Sequence, residues 1–429
     1  MEVRARALRV FVLAVAIVLL PRAGLAAGFS IFEGGAKALG MGGAFAAQAN
    51  DPSAIFFNSA GLADLEGTQV YAGVATIFTG TEFAGVDPDP GFGVKEETGT
   101  LFFPPINAYV THQLREGLGV GLGVYNAFGL GQDWKDPDQF TGRHIANKVN
   151  LETFYFVPTI AWRPHARVAV GVGAQMIYST VELHRYIQQW DPNGSGYLDV
   201  GTLNLEGSDG LNFGFNAGLL VQAHEDVSLG ASFRSQATAE IEGHADFTQR
   251  STGDAAFDQV VAAEFPDDQT GSTWIDLPWV LSLAGAYTGV ERWVFEADVI
   301  LFGWSQFEKL PFRFEDKSLN TDRVQDYENT LNVRVGLEYA LAERWDLRVG
   351  YYWDETPQPR KAMSPILADP DRHGFAAGAG LHTGAWTADL FGLVLLAEER
   401  STQGESLDAY NGTYASYGTL LGLNVGYRF

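Results

Sequence analysis

The 429-residue chain contains no cysteine. That removes disulfide staples and thiolate metal sites, and it suits a protein assembled in an oxidising compartment. Basic side chains are scarce as well, 28 against 52 acidic ones, for a formal charge of −24. Phosphate backbones are held by basic patches, so nucleic acid is excluded as a partner. Long apolar runs are missing beyond residues 10–20, about half of the roughly 20 residues a spanning helix needs, which excludes a helical membrane protein. Enzyme signatures are absent too: there is no Gly-x-Ser-x-Gly, no His-Glu-x-x-His and no phosphate loop. His144 and His184 lack a paired serine, and the histidines show no metal-ligand spacing. The reading is a non-enzyme with no cofactor and no metal.

What the chain does have is strict alternation. At its carboxyl end Leu421, Leu423, Val425, Tyr427 and Phe429 share one face while Gly422, Asn424, Gly426 and Arg428 share the other. A strand with one greasy side and one wet side fits a lipid-facing wall. The pattern recurs at 67–80, 104–114, 116–130, 147–163, 167–184, 209–223, 225–247, 274–289, 291–313, 328–341, 344–356, 373–384, 386–398 and 412–429. Tight connections alternate with long ones, the rhythm of periplasmic turns and external loops. The expected fold is an all-β membrane protein, a 14-stranded antiparallel transmembrane β-barrel spanning residues 67–429. Trp162, Trp293, Trp345 and Tyr427 are expected in the inner aromatic girdle, Trp304 and Trp353 toward the outer half.

Two segments precede the barrel. Arg4, Arg6 and Arg9 lead into the apolar run, then Pro21 and Gly24-Leu25-Ala26, which reads as a signal peptide, residues 1–26, removed after Ala26. Residues 27–66 are rich in Gly and Ala, do not alternate, and are too apolar to remain in water. They read as a short helical plug, with Asp51-Pro52 opening a helical turn that Asn58 and Gly61 close.

Plug and barrel together resemble the FadL/TodX family of outer-membrane transporters for long-chain fatty acids and hydrocarbons. The resemblance is carried by Ala27-Gly28-Phe29, Gly40-Met41-Gly42-Gly43-Ala44-Phe45, Asp51-Pro52-Ser53 onward to Leu62, Asn126-Ala-Phe-Gly-Leu-Gly-Gln-Asp-Trp134, Ser232-Phe-Arg-Ser235, Gly303-Trp-Ser-Gln-Phe307 and Asp369-Pro-Asp-Arg-His373. It implies passive uptake of hydrophobic molecules in the outer membrane of a Gram-negative bacterium. Cargo would be caught at external loops, bound in the lumen and released sideways at a kinked third strand. It also implies a monomer in contact with lipid and lipopolysaccharide, inserted by the barrel-assembly machinery.

Residue by residue, the lateral opening is expected at Asn126, Ala127, Phe128, Gly129, Leu130 and Gly131, where alternation breaks after the glycine file at 117, 119, 121 and 123. The family's Asn-Pro-Ala hatch motif stands here as Asn58-Ser59-Ala60, with Asn58 capping backbone. Phe29 resembles the residue that couples cargo to hatch movement. A carboxylate brought into a low-dielectric lumen needs a cation, and the resemblance offers Arg185 and Arg323; otherwise Arg185 pairs with Glu182 and Arg323 is solvated. The oxygen-rich runs at 87–91 and 191–196 read as turns rather than calcium loops. A channel for uncharged aromatic or aliphatic hydrocarbons and a non-selective aqueous porin are the competing functions.

Overall fold

The structure, a computed structural model, describes residues 28–194 and 196–429. The expected signal segment, residues 1–26, lies outside the described residues.

Fourteen antiparallel strands follow one another around a closed cylinder. In chain order they are Thr68–Gly85, Ile106–Arg115, Leu118–Tyr125, Lys148–His165, Val168–Trp190, Tyr197–Asp209 continued by Asn212–His224, Val227–Arg234 continued by Ala237–Gln249, Gln269–Leu277 continued by Val280–Val290, Trp293–Phe302, Thr330–Ala342, Trp345–Asp354, Arg372–Thr383, Trp386–Ala397 and Gly412–Arg428. The last pairs with the first from Gln69↔Arg428 to Gly85↔Gly412, so no edge is left open. Alternation explains the wall. Leu421, Leu423 and Val425 are about half exposed on the lipid side, whereas Asn424 between them is buried in the lumen.

Several expected strands are corrected, among them the first and the fifth, which run on to Gly85 and Trp190 rather than ending at 80 and 184. The sixth begins at Tyr197 rather than 209, because Asp209 Oδ1 accepts from Ser179 N and restarts the pairing across a break at 210–211. The third stops at Tyr125 rather than 130. The ninth stops at Phe302, where Gly303 turns the chain inward into a 3-10 turn, Trp304–Gln306. Trp304 is therefore a buried lumen residue and not part of an outer girdle.

Residues 28–66 fill the inner half of the lumen with a helix Ala36–Gly40, a turn of helix Ala54–Phe57 and a 3-10 helix Ser59–Asp64. The third-strand glycines make room for them: a Cβ on Gly119 would sit 2.3 Å from Leu62 O, and one on Gly123 2.8 Å from Ile55. Barrel side chains satisfy hatch backbone groups around the ring. Asn424 accepts from Ala36 N at 3.0 Å, Asn107 donates to Glu33 O at 3.1 Å, Tyr109 to Gly34 O at 2.7 Å and Arg334 to Gly42 O at 3.1 Å. Irregular backbone survives at membrane depth when the wall supplies partners in this way.

Candidate functional site: a plugged lumen with an apolar cavity

The third-strand kink is built from side chains that replace backbone partners. Beyond Tyr125↔Tyr155 the ladder to the fourth strand resumes only at Gly129↔Glu152, with three residues between the rungs on one strand against two on the other. Inside this bulge, Asn126 Nδ2 donates to Thr153 O at 2.7 Å while its Oδ1 accepts from Ile106 N of the second strand at 3.0 Å. Thr153 Oγ1 accepts from Phe128 N at 3.1 Å and donates to Phe128 O at 2.7 Å. On the opposite side, Pro104 and Pro105 have no N–H to offer. The described pairings there resume only at Gly99 N to Asp133 O and Thr98↔Trp134. The wall between second and third strands is thus unladdered beside residues 127–132. Thr153 was not singled out from the sequence; its one signal is a lone inward threonine between Leu151 and Tyr155.

The leading end of the hatch seals the kink from within. Ile31 N donates to Ala127 O at 2.9 Å and Gly129 N to Phe29 O at 3.0 Å, a short antiparallel bridge centred on Ser30 and Phe128. The Phe29 ring packs edge-on against Trp304 at 4.7 Å, Phe307 at 5.9 Å and Phe128 at 6.2 Å. Behind it, Gly28 N donates to Asp369 Oδ2 at 3.0 Å and Arg372 donates to Gly28 O at 3.2 Å. Gly28 has φ +64°, and a Cβ there would stand 2.8 Å from Trp304, so glycine is required. Burial raises the Asp369 carboxyl above its usual range. Its loop neighbour Asp371 is raised to about 7, by burial first and Glu398 second.

Phe29 separates two cavities. Above it lies an apolar one lined by Leu151, Val181, Leu183, Phe307, Phe312 and Ile366 among others. Below it a mixed chamber runs along Gly129, Leu130, Gly131 and Gln132, with Glu33, Arg334 and Arg372 on its wall. Arg185 and Arg323 line one further chamber, which shares Leu183, Leu205, Phe312, Phe314 and Ile366 with the apolar cavity. Arg323 is ion-paired with Asp408 at 2.6 Å, so it is not a freely solvated loop residue. Glu182 is paired with Lys148 at 2.7 Å, and no Glu182 pair with Arg185 occurs among the described residues.

The hatch motif stands apart from both cavities. Asn58 is fully buried; Nδ2 donates to Ala46 O at 2.7 Å and Leu219 O at 3.1 Å, and Oδ1 accepts from Ala60 N at 3.2 Å. Paired glycines of the fifth and sixth strands, Gly171 and Gly218, form the dent that Ser59 and Ala60 occupy. Those bonds fix the turn without the proline.

Residues 17–429 match the model of a family described as outer membrane protein transport protein (OMPP1/FadL/TodX). The chain belongs to this family. Among its relatives, the long-chain fatty acid transport protein of Escherichia coli is 22% identical over 97% of this chain and 98% of its own length. Outer membrane protein P1 of Haemophilus influenzae is 22% identical over 75% and 74%. The fold matches the crystal structure of a Pseudomonas aeruginosa FadL homologue with a TM-score of 0.83, at 18% identity over 94% of this chain and 100% of that one. It matches the Pseudomonas putida toluene transporter TodX with a TM-score of 0.71, at 16% identity over 92% and 98%. Membership fixes the compartment and the work: this is an outer-membrane transport protein.

Proposed function

We propose that the protein takes up long-chain fatty acids by passive diffusion, with the carboxylate held at Arg185 and Arg323 and the chain in the apolar cavity beside them. The observation that carries this reading is the shared wall: two guanidinium groups line a chamber that has Leu183, Leu205, Phe312, Phe314 and Ile366 in common with the greasy cavity. A carboxylate leaving water needs such a partner, and Arg185 is the better candidate because Asp408 already neutralises Arg323. The relatives named for long-chain fatty acids support it.

Cargo then passes Phe29. Displacing that ring strains the bridge to Ala127 and Gly129, and withdrawal of residues 28–31 uncovers the unladdered wall beside residues 127–132, through which the chain leaves into the membrane. The buried hatch argues against an open aqueous porin. A channel for uncharged hydrocarbons is the second reading, favoured by the acidic excess of the chain, which disfavours anions, and by the Arg323–Asp408 pair.

Liposome uptake of oleate against toluene, with an Arg185→Ala control, separates the two. Loss of a charge-assisted bond should weaken oleate binding about tenfold or more and leave toluene unchanged. Equal transport of both compounds by wild type and variant would transfer the assignment to hydrocarbons.

A further inference from the structure

The chamber that holds Arg185 and Arg323 is apolar apart from these two guanidinium groups and the Thr321 hydroxyl, and no carboxylate lines it among the described residues. Arg185, on the fifth strand, has no hydrogen bond or ion pair among those residues. Arg323, on the loop strand Thr321–Val324, gives one terminal nitrogen to Asp408 Oδ2 at 2.6 Å, while its Nε is buried without an acceptor.

Asp408 is held in place on Arg323. Its loop, residues 402–411, is pinned on both sides: Ser406 Oγ donates to Met363 O at 3.3 Å, Leu407 N to Lys361 O at 2.9 Å and Tyr410 OH to Glu96 Oε2 at 2.7 Å. The acids that flank Arg323 in sequence are taken by other partners. Asp322 is paired with Lys309 at 2.7 Å and with Arg313, and Asp326 with Lys361 at 2.6 Å. Glu206, the acid that borders the neighbouring apolar cavity, is exposed and accepts from Asn204 Nδ2 at 2.9 Å. Two guanidinium groups and one fixed carboxylate therefore leave the chamber a single net positive charge.

One positive charge is selective. Taking a headgroup out of water costs energy that grows with the square of its charge, whereas its attraction to a fixed site grows only in proportion. A single charge offsets the transfer of a singly charged group and falls short for a doubly charged one. We propose that Asp408 sets this selectivity: by occupying Arg323 it restricts the chamber to monoanionic headgroups such as the carboxylate of a fatty acid, and turns away dianionic amphiphiles such as alkyl phosphates. The incoming carboxylate takes Arg185 and the free Nε edge of Arg323. This selectivity rests on the fatty-acid reading above and adds to it the charge that the site accepts.

The test is equilibrium binding to the full mature protein in micelles at about pH 8, where a phosphate monoester carries close to two charges. The probes are oleate, oleyl phosphate, its singly charged methyl ester and neutral oleyl alcohol. Wild type should bind oleate and the methyl ester about tenfold or more tighter than oleyl phosphate. Asp408→Asn should tighten oleate about threefold and oleyl phosphate about tenfold, because the repulsion removed doubles with headgroup charge, and should leave the alcohol unchanged. Asp408→Glu, which keeps the charge, should keep the wild-type preference. Wild type that holds the phosphate as tightly as its methyl ester would overturn the proposal without any variant, and so would an oleate-to-phosphate ratio unmoved by Asp408→Asn. The fatty-acid reading fails differently. Oleyl alcohol bound as tightly as oleate would remove the headgroup site and this proposal with it, whereas an oleate preference lost in Arg185→Ala but indifferent to Asp408→Asn would remove the charge selection alone.

Discussion

The hatch has two unlike regions. Its body, residues 34–65, is almost wholly buried and is tied by side chains of the second, sixth, ninth, tenth and fourteenth strands. Its leading end, residues 28–32, touches cavities on both faces and is held by one short bridge, the Asp369–Arg372 clamp and edge-on aromatic contacts. Buried bonds made all round cannot be released one at a time without orphaning partners, whereas a bridge of two bonds beside empty space can. A plug held in this way should yield at its tip before its body.

The strongest way to break that contrast is Asn58→Leu. It removes both donors and the acceptor of a fully buried side chain and leaves Ala46 O, Leu219 O and Ala60 N with fewer partners. About 3 kcal/mol of hatch stability should be lost. In planar bilayers an aqueous conductance absent from wild type should appear; a variant that stays closed would show that the body does not depend on this motif.

Phe29→Ala strikes the other region. The ring abandons three aromatic neighbours, but cavities already flank it, so the loss should be about 2 kcal/mol, below that of a fully enclosed ring. Uptake of apolar cargo should quicken while deuterium exchange of residues 41–65 stays as in wild type. Exchange rising throughout the hatch would dissolve the distinction between tip and body. Thr153→Val is gentler. It conserves shape and deletes both Oγ1 bonds to Phe128, costing about 1 kcal/mol and loosening residues 126–129 alone.

Where alternation rules, the residues could be read directly: period-two faces define the wall, and its loss at Asn126 marks the kink. Arg185 and Arg323 were nameable one by one, but their common chamber depends on a loop strand, Thr321–Val324, folding back over the barrel mouth. Thr153, Glu296 and Asp298 left little trace. Each occupies an ordinary inward position of an ordinary strand, and its role arises from backbone some 25 to 250 residues away in sequence, that of the third-strand bulge for Thr153 and that of the hatch for the two acids. Trp304 misled because aromatic residues suit a girdle and a lumen equally, and only the turn at Gly303 decides between them.

The smallest effect sharpens the clamp at the tip. Asp371 is half-buried, with its carboxyl raised to about 7, above the roughly 3.9 of an unfolded chain. Between those values the folded protein binds the proton that the unfolded chain has released, so stability falls as pH rises toward about 7 and is level beyond it. Above neutrality the folded loop carries a new negative charge next to Glu398 and Asp369, with Arg400 offsetting part of it. Asp371→Asn should therefore gain on wild type at about pH 8 and match it near pH 4, read as thermal stability and as exchange of residues 28–33. A gain confined to acid would reverse the sign and place the Asp371 charge on the stabilising side of the clamp.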